Sequence, residues 1–219
     1  MCGRFSLGVT SASDLARMLE ADLLPEDEAL YRPRYNVAPT NRHWIVREEG
    51  ERRLLVPATW GLTTPTGHFV INARSESAAF KFRDAWKGRR CVVPTDGFFE
   101  WKGPPKDRRP IWFHPPDGGL LLLAGIFDDS KSDDRPRFVI LTTAANERVA
   151  EVHDRMPAVI PADRLGRWLQ EPERLEPAPV DLLEPTPVSP RLNSPANDDP
   201  SLLEPYREPG GSPGQLRLL

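Results

Sequence analysis

The chain has 219 residues, of which 39% are hydrophobic, and a formal net charge of −3 at pH 7. This length predicts one domain, with or without a tail, and no apolar run approaches the ~18 residues that a membrane span needs. The N-terminus also lacks the basic and apolar regions of a secretory signal. Because Cys2 and Cys91 are the two cysteines, a disulfide framework or cysteine-rich zinc site is excluded, and a reducing cytoplasm fits best.

The charge is distributed unevenly along the chain. Residues 171–219 carry four arginines against nine acidic residues, so residues 1–170 are net positive. Within them, residues 81–90 hold five basic residues and one acidic residue. Clustered positive charge attracts a polyanion better than net charge does. A solvated helix face is the competing interpretation of this segment.

The first half of the chain mixes helix and strand patterns. Ser11 or Ser13 is a suitable N-cap for a first amphipathic helix, and Pro57 places the second predicted strand at an edge or a bulge. The predicted helices are residues 11–21 and 75–86, and the predicted strands between them are residues 44–47, 53–60 and 69–72.

The second half has stronger β patterns. Short apolar runs separated by turn residues predict a curled, mostly antiparallel sheet or barrel. The fold class is therefore predicted as α+β, with a barrel-like core and a few flanking helices. The predicted strands are 90–94, 97–102, 111–114, 120–127 and 138–142, and the predicted helices are 145–152 and 162–170.

Prolines dominate the C-terminal part, where eleven of the 25 lie in residues 172–219. We predict a single domain over residues 1–205, with a proline-rich last part at 172–205 that adds a closing strand near residues 188–193. Residues 206–219 are predicted to form a flexible tail.

The N-terminus offers distinctive chemistry. Removal of Met1 would leave Cys2 with a thiol and a free α-amine on one small unit, and a small second residue permits that removal. The amine titrates near ~8 and a free thiol near ~8.5. Such a pair can condense with an aldehyde to an imine and then close through sulfur to a thiazolidine. A frayed, chemically idle terminus is the alternative.

Three other polar residues lie in apolar contexts. Glu100 is in an aromatic strand, where burial would raise its pKa towards the range useful for proton transfer; a solvent-facing or structurally paired glutamate is the alternative. His153 precedes Asp154, and a lone histidine is usually structural. Asn72 ends a predicted strand, where asparagine usually serves a turn. The four histidines show no ligand spacing, so we expect no metal.

Taken together, these stretches resemble the SRAP family, the SOS response-associated peptidases or abasic-site processing proteins. The segment at 188–193 is also similar to the family's closing strand. The six matching motifs follow the family's order and are MCGRF at 1–5, RYNVAP at 34–39, WG at 60–61, INARSE at 71–76, GFFEW at 97–101 and HDRMP at 153–157.

The resemblance implies a sensor and shield that crosslinks covalently to abasic sites in single-stranded DNA during the DNA-damage response. Cys2 would attack the ring-opened sugar aldehyde with its amine, and its thiol would close the thiazolidine. Asn72 would hold the Cys2 terminus or a sugar oxygen, and Glu100 would act as acid and base. His153 would assist ring opening and crosslink reversal. No cofactor and no metal is implied.

The resemblance also implies a DNA-binding surface. Arg4 and Arg74 would bind flanking phosphates, and Trp101 would shape the pocket. Family members commonly carry an aromatic residue in the loop after the Trp-Gly pair, and Phe69 or His68 is the substitute here. The implied DNA-binding residues are Arg4, Asn36, Arg74, Trp101, Arg83 and Phe69.

The expected partner is single-stranded DNA that contains an abasic site, bound by a monomer that is cytoplasmic and associates with the nucleoid on DNA, with no membrane involved. Two alternatives stay open: a peptidase or autopeptidase with Cys2 as nucleophile, and a non-catalytic single-stranded DNA-binding module. Glutamine amidotransferases also begin Met-Cys-Gly, but they need a larger domain. Cys91 is expected to be buried and dispensable.

Overall fold

The computed structural model describes residues 2–64, 66–104, 107–129 and 135–207. Within these ranges, fifteen strands and six short α-helices form an α+β fold, as the sequence predicts. The strands are β1 (Arg4–Leu7), β2 (Asp22–Leu23), β3 (Arg34–Val37), β4 (Arg42–Glu49), β5 (Arg52–Trp60), β6 (Leu62–Thr63), β7 (Phe69–Val70), β8 (Asn72–Arg74), β9 (Arg90–Thr95), β10 (Gly97–Lys102), β11 (Arg109–His114), β12 (Leu121–Asp128), β13 (Arg137–Ala144), β14 (Arg155–Pro157) and β15 (Glu184–Pro187). The helices are α1 (Ala12–Met18), α2 (Pro25–Glu28), α3 (Ser75–Lys81), α4 (Arg83–Gly88), α5 (Glu147–Ala150) and α6 (Leu165–Gln170).

One sheet has five strands in the order β15-β11-β10-β1-β3, and all its pairs are antiparallel. In the β1–β10 pair, Arg4 lies opposite Phe99 and Phe5 opposite Phe98. If that register is extended by one residue, Gly3 faces Glu100. The N-terminal motif and the aromatic motif are therefore neighbours because their strands pair.

The other large sheet closes on itself. Its order is β14-β13-β12-β9-β4-β5-β2, and an additional pairing of β5 with β13 joins β13, β12, β9, β4 and β5 into a ring. Most pairs are antiparallel, while β5–β13, β8–β13 and β2–β5 are parallel. The predicted barrel-like core is thus present.

The main apolar core lies between the two sheets. It unites Phe5 and Phe98 from the five-stranded sheet with Ile45 and Leu123 from the ring, and all four are buried. Burial of such large side chains contributes about 1.5–3 kcal/mol each. The core thereby holds together the two sheets that carry the chemical groups at the N-terminus and on β10.

The C-terminal segment differs from its prediction. The closing strand is β15 at Glu184–Pro187, whereas Pro190–Asn193 form a 3-10 turn that Ser189 caps. Pro185 and Pro187 are two residues apart on β15, which is an edge strand of the five-stranded sheet. Proline lacks an N–H, so it is tolerated where that position faces away from the neighbouring strand. The predicted strand at 188–193 is therefore wrong by a few residues.

Other predicted elements have shifted bounds. The first helix begins after Ser11, whose side chain accepts from the Asp14 N–H, as an N-cap does. The helix predicted at 75–86 is two helices that meet at Phe82. The predicted tail lies outside the described residues from residue 208 onward.

Pro57 is accommodated inside β5. On one side of β5 the neighbour is β4, and on the other β2 pairs at Leu54–Leu55 while β13 pairs at Thr59–Trp60. Pro57 falls in the gap between these two pairings, so the strand has a local edge there. In the described part of the chain, every helix is too short or too polar to cross a membrane.

Candidate active site

Strand β13 brings two of the polar motifs together. It pairs with β8, placing Asn72 opposite Ile140, and also with β14, placing Arg155 opposite Ala144. Arg155 then binds Glu76 through two parallel contacts of 2.6 and 2.8 Å and donates to the Thr142 carbonyl at 2.6 Å. A bidentate pair fixes both distance and orientation. It holds the start of α3 against the segment that follows His153.

Cys2 and Asn72 are in direct contact. The side-chain amide of Asn72 donates to the Cys2 carbonyl at 2.7 Å. Its other side-chain atom, Oδ1, is buried and has no hydrogen-bond partner among the described residues. A buried acceptor without a partner is unfavourable unless a ligand supplies a donor. Asn72 therefore anchors the N-terminal segment and keeps one acceptor for another group.

The Cys2 thiol is fully buried and donates weakly to the Arg4 carbonyl at 3.4 Å. Burial raises the pKa of the thiol well above its usual range, and the negative charge of Glu100 raises it further. A thiol in this environment is protonated at neutral pH. Removal of Met1 would place a free α-amine on the same residue as this thiol.

Glu100 links Cys2 to His153. Its side chain is 4% exposed, and burial raises the pKa of its carboxyl group, while nearby positive charges, including that of a protonated His153, lower it by less. The carboxyl group is therefore easier to protonate than an exposed glutamate. A buried carboxyl group with a raised pKa is suited to both donating and accepting a proton.

The orientation of His153 follows from its Nδ1 contacts. The Arg155 backbone N–H donates to Nδ1 at 3.0 Å, and Asp154 Oδ1 lies 2.9 Å from the same atom. One nitrogen cannot accept the first and donate to the second. A backbone N–H can only donate and a carboxylate can only accept, so the two contacts together fix the orientation of the ring and leave its tautomer open.

A polar cleft of about 550 Å³ lies beside these groups. Glu100 and His153 line it, together with the cationic side chains of Lys102 and Arg108, and Arg108 also lowers the pKa of Glu100. Neither cation was identified from the sequence. The basic run around residues 106–109 was the available signal, although nothing in it pointed to a cleft.

Arg4 and Trp101 are held by the C-terminal segment. Arg4 donates to Asn36 Oδ1 at 2.8 Å and to the Leu192 carbonyl at 3.0 Å, and its guanidinium lies 5.9 Å from the centre of the Trp101 ring. Trp101 donates from Nε1 to Asn193 Oδ1 at 2.7 Å. Both side chains are partly exposed, as a surface that contacts DNA requires.

Asn36 has a different role from the one expected. It is fully buried, and its amide group donates to three carbonyls, those of Leu192, Ser194 and Asn197. A side chain with this burial and these partners has no access to a phosphate. The geometry corrects the expectation of direct DNA contact, since Asn36 orients Arg4 and ties down the C-terminal segment.

Phe69 lies against the Trp-Gly motif. Gly61 has a φ of +103°, and a Cβ atom at this position would lie 2.3 Å from Phe69 Cζ. The absence of a side chain at Gly61 therefore leaves room for the Phe69 ring, which remains 48% exposed. His68 is exposed too, and its Nδ1 contacts Thr66 Oγ1 at 3.1 Å.

The two other implied DNA-binding residues are exposed arginines. Arg74 ends β8, two residues after Asn72. Arg83 lies on α4, and its charged contact is with the adjacent Asp84 at 3.8 Å. Arg74 is therefore next to the candidate site through its strand, whereas Arg83 is on a separate helix. Within the described ranges, no group of three or more His, Cys, Asp or Glu residues could hold a metal ion.

Comparison with known proteins adds a family. The family model described as SOS response associated peptidase (SRAP) matches residues 1–195. Abasic site processing protein YoqW of Bacillus subtilis (strain 168) is 33% identical over 225 residues, covering 93% of this chain and 99% of the relative. Abasic site processing protein YedK of Escherichia coli (strain K12) is 31% identical over 180 residues, covering 78% of this chain and 80% of the relative.

More distant similarity extends to vertebrates and to solved structures. Abasic site processing protein HMCES of Gallus gallus is 28% identical over 227 residues, covering 81% of this chain and 68% of the relative. A crystal structure of a protein from Bacteroides thetaiotaomicron superposes with a TM-score of 0.78 at 20% identity, covering 94% of this chain and all of that one. That likeness shows a shared fold.

Proposed function

Because the chain belongs to the SOS response associated peptidase (SRAP) family, we propose that it processes abasic sites in DNA and crosslinks to them covalently through Cys2. The observation that carries the proposal is the hydrogen bond from the Asn72 side chain to the Cys2 carbonyl. Glu100 is close enough for its negative charge to raise the pKa of the Cys2 thiol. The charge of a protonated His153 in turn lowers the pKa of Glu100. Curated relatives are named abasic site processing proteins, and we extend that activity to this chain.

The reaction begins after removal of Met1. The Cys2 amine adds to the aldehyde of the ring-opened sugar, and the resulting carbinolamine loses water to give an imine. The thiol then adds to the imine carbon, while its proton passes to the nitrogen, and a thiazolidine ring forms. No oxidant or reductant is consumed. An open imine invites β-elimination and strand cleavage, so ring closure by sulfur protects the strand.

Each polar residue has a role that matches its environment. Glu100, with its raised pKa, takes a proton from the attacking amine and returns one to the departing hydroxyl group. Asn72 holds Cys2 through its amide and offers Oδ1 to a sugar hydroxyl. His153 donates a ring proton to the sugar ring oxygen, which opens the hemiacetal, and the same proton transfers in reverse release the crosslink.

The thiol environment favours this chemistry over peptide hydrolysis. Cysteine peptidases use a thiolate whose pKa is lowered by a nearby cation or helix N-terminus. Here burial and the Glu100 charge raise the pKa of Cys2. In the thiazolidine route the thiol acts only in the second step, and the imine nitrogen takes its proton as sulfur bonds to the imine carbon, so no lowered thiol pKa is required beforehand. We therefore place an autopeptidase or peptidase activity second.

The proposed DNA is single-stranded around the lesion. Arg4 and Arg74 would neutralise phosphates, Trp101 and Phe69 offer aromatic faces for bases, and Arg83 extends the positive surface. Stacking on aromatic residues combined with phosphate contacts is the usual mode for single strands. We propose that the protein acts as a monomer in the cytoplasm and is nucleoid-associated when it is bound to DNA.

The test uses a single-stranded oligonucleotide with one abasic site and a denaturing gel. The wild-type protein is expected to give a heat-stable shifted band, Cys2→Ala to give none, and Cys91→Ala to behave as wild type. Cys91 is the matched control because it is the other buried thiol. A shifted band of normal intensity with Cys2→Ala would refute the proposal. Undamaged DNA should give no band with any variant.

A further inference from the structure

A second concave site lies away from the cleft. It is a pocket of about 200 Å³ lined by Leu7, Leu30, Arg32, Arg34, Arg42, His43 and Trp44. The pocket and the cleft share no lining residue. Its volume is several times the ~30 Å³ share of one water molecule in the liquid. It therefore has room for a small polyatomic group.

The sequence explains why three arginines meet here. Pro33 restricts Arg32 to an extended conformation, and residues two apart in an extended chain point to the same side. Arg32 and Arg34 therefore project together. Arg42 begins β4 and lies on the same pocket wall. The positive side chains thus come from the entry of β3 and the entry of β4.

The charge of the pocket is positive and partly uncompensated. Arg34 binds Asp198 through Nε and donates to Asn41 Oδ1 at 2.9 Å, which orients its guanidinium and leaves other N–H groups available. Arg32 and Arg42 are exposed and make no side-chain hydrogen bond or ion pair to other described residues. Three arginines against Asp198 leave about two positive charges, because arginine stays protonated throughout the neutral range.

The other residues that line the pocket do not cancel this charge. Burial lowers the pKa of His43 to about 4, and the charge of Arg34 lowers it as well, so the ring is neutral at pH 7. Leu7, Leu30 and Trp44 form the apolar part of the lining. Apolar side chains lower the local dielectric on their side of the pocket, which strengthens the attraction between the partly buried Arg34 and an anion.

We propose that Arg32, Arg34 and Arg42 form a binding pocket for a terminal phosphate monoester or free phosphate. Such a phosphate carries about −1.5 to −2 charges and three acceptor oxygens, which matches two excess positive charges and several guanidinium N–H groups. Arginine binds phosphate in bidentate geometry. A recessed pocket suits a group attached at one end, whereas a backbone diester has to enter and leave. The inference is independent of the proposed crosslinking.

The test measures phosphate binding in the full chain. Calorimetric titration with inorganic phosphate and with a mononucleotide probes the small ligands. Fluorescence anisotropy of an undamaged oligonucleotide, with and without a 5′-phosphate, probes a strand end. Arg42→Ser and the Arg32→Ser/Arg42→Ser double variant are compared with Arg174→Ser, a surface control whose side chain is 88% exposed.

We expect saturable binding of at least one phosphate, weakened about tenfold by Arg42→Ser, as loss of a charged hydrogen bond predicts, and unchanged by Arg174→Ser. Tighter binding of the 5′-phosphorylated strand alone identifies a DNA end as the ligand. Saturable binding of inorganic phosphate or of the nucleotide identifies a small metabolite as the ligand. Either result supports a phosphate-binding role for the pocket. Absence of saturable binding in the wild type, or equal binding by the double variant, overturns it. Crosslinking of an unphosphorylated abasic strand should be the same in all variants.

Discussion

At the scale of single residues, the site depends on one buried carboxyl group. Glu100 lies between Cys2 and His153, and burial raises its pKa. Raising the pKa stabilises the protonated form relative to the ionised form, so the residue holds a proton more readily than an exposed glutamate does. For the same reason, the ionised Glu100 carboxylate destabilises the folded protein. The proposed acid–base role and the stability of the fold would therefore place opposite demands on Glu100.

Glu100→Gln separates these demands. Adduct formation should slow by roughly 100-fold or more, because a positioned acid–base group contributes about that much. The same substitution should raise the stability of the folded protein at a pH where Glu100 is ionised. The folded protein binds the Glu100 proton more tightly than the unfolded chain, so this group destabilises the fold as pH rises from the ordinary glutamate range through the raised pKa. Glutamine has no charge to bury.

The measurement is a calorimetric melting curve of both proteins at acidic and mildly alkaline pH. From acidic to mildly alkaline pH, the melting temperature of the wild type should fall by more than that of Glu100→Gln. A larger pH-dependent loss in the glutamine variant would contradict the assignment. Rates of adduct formation are read from the same preparations on a denaturing gel.

Some single residues were predictable from the sequence and others were not. Cys2, Asn72, Glu100 and His153 lie in short motifs, and the structure brings them together through β1, β8, β10 and the start of β14. The burial of Asn36 and the Glu76–Arg155 pair were not predicted. Those features depend on which strands pair, which is a non-local property that no single motif contains.

At the scale of elements, the loop between Trp60 and β7 is shaped by backbone sterics. Gly61 has positive φ, and a Cβ there would also collide with Phe69, whereas Gly67 has a φ of +85° and open space around its Cβ position. Alanine substitutions at the two glycines therefore separate two contributions to the loss of stability, that of the backbone conformation and that of the collision with Phe69.

Gly67→Ala should cost about 1 kcal/mol, the low end for a non-glycine residue at positive φ. Gly61→Ala should cost at least about 1 kcal/mol more, and it should displace Phe69 and weaken binding to single-stranded DNA. Urea unfolding and fluorescence anisotropy measure the two effects. Equal costs for both variants would show that Phe69 does not pack on Gly61.

The C-terminal segment is a second element with a function beyond closing the fold. Asp198 accepts from the Tyr35 N–H at 2.6 Å and the Asn36 N–H at 3.1 Å, and it pairs with Arg34. These contacts anchor the turn at Pro190–Asn193 whose residues bind Arg4 and Trp101. The segment thus supports the proposed DNA surface from behind.

Asp198→Asn should destabilise the protein by about 1–3 kcal/mol, because Arg34 loses its partner and backbone N–H groups lose a charged acceptor. It should also reduce DNA affinity through Arg4 while leaving Cys2 in place. Asp181→Asn is the matched control, since Asp181 is exposed, and it should change stability by less than about 0.5 kcal/mol. Unfolding curves with the same loss for both variants would rule out an anchoring role.

Element positions show where sequence reasoning reached its limit. Short apolar runs separated by turn residues predicted the central strands and a curled, barrel-like sheet. The closing strand was assigned to 188–193 and found at Glu184–Pro187, because two prolines there mask an edge strand that tolerates missing N–H groups. The interruption at Phe82 between α3 and α4 is equally invisible in a helical pattern that continues across it.

At the scale of the whole molecule, two sheets share one core and each contributes half of the candidate site. The five-stranded sheet supplies Cys2 and Glu100 through the β1–β10 pair, while the ring supplies Asn72 and the segment after His153 through β13. Neither half has the full set. We therefore expect the proposed chemistry to depend on the fold being intact and to be insensitive to the other buried thiol, Cys91.

The most direct measurement of the central claim is the intact mass of the protein–DNA adduct, taken with and without borohydride. We predict the mass of the protein without Met1 plus the oligonucleotide minus one water, unchanged by borohydride, because a thiazolidine has no imine to reduce. A gain of two hydrogen atoms on reduction would show that sulfur does not close the ring. An adduct that retains Met1, or no adduct from protein shown to lack Met1, would contradict the role of Cys2 altogether.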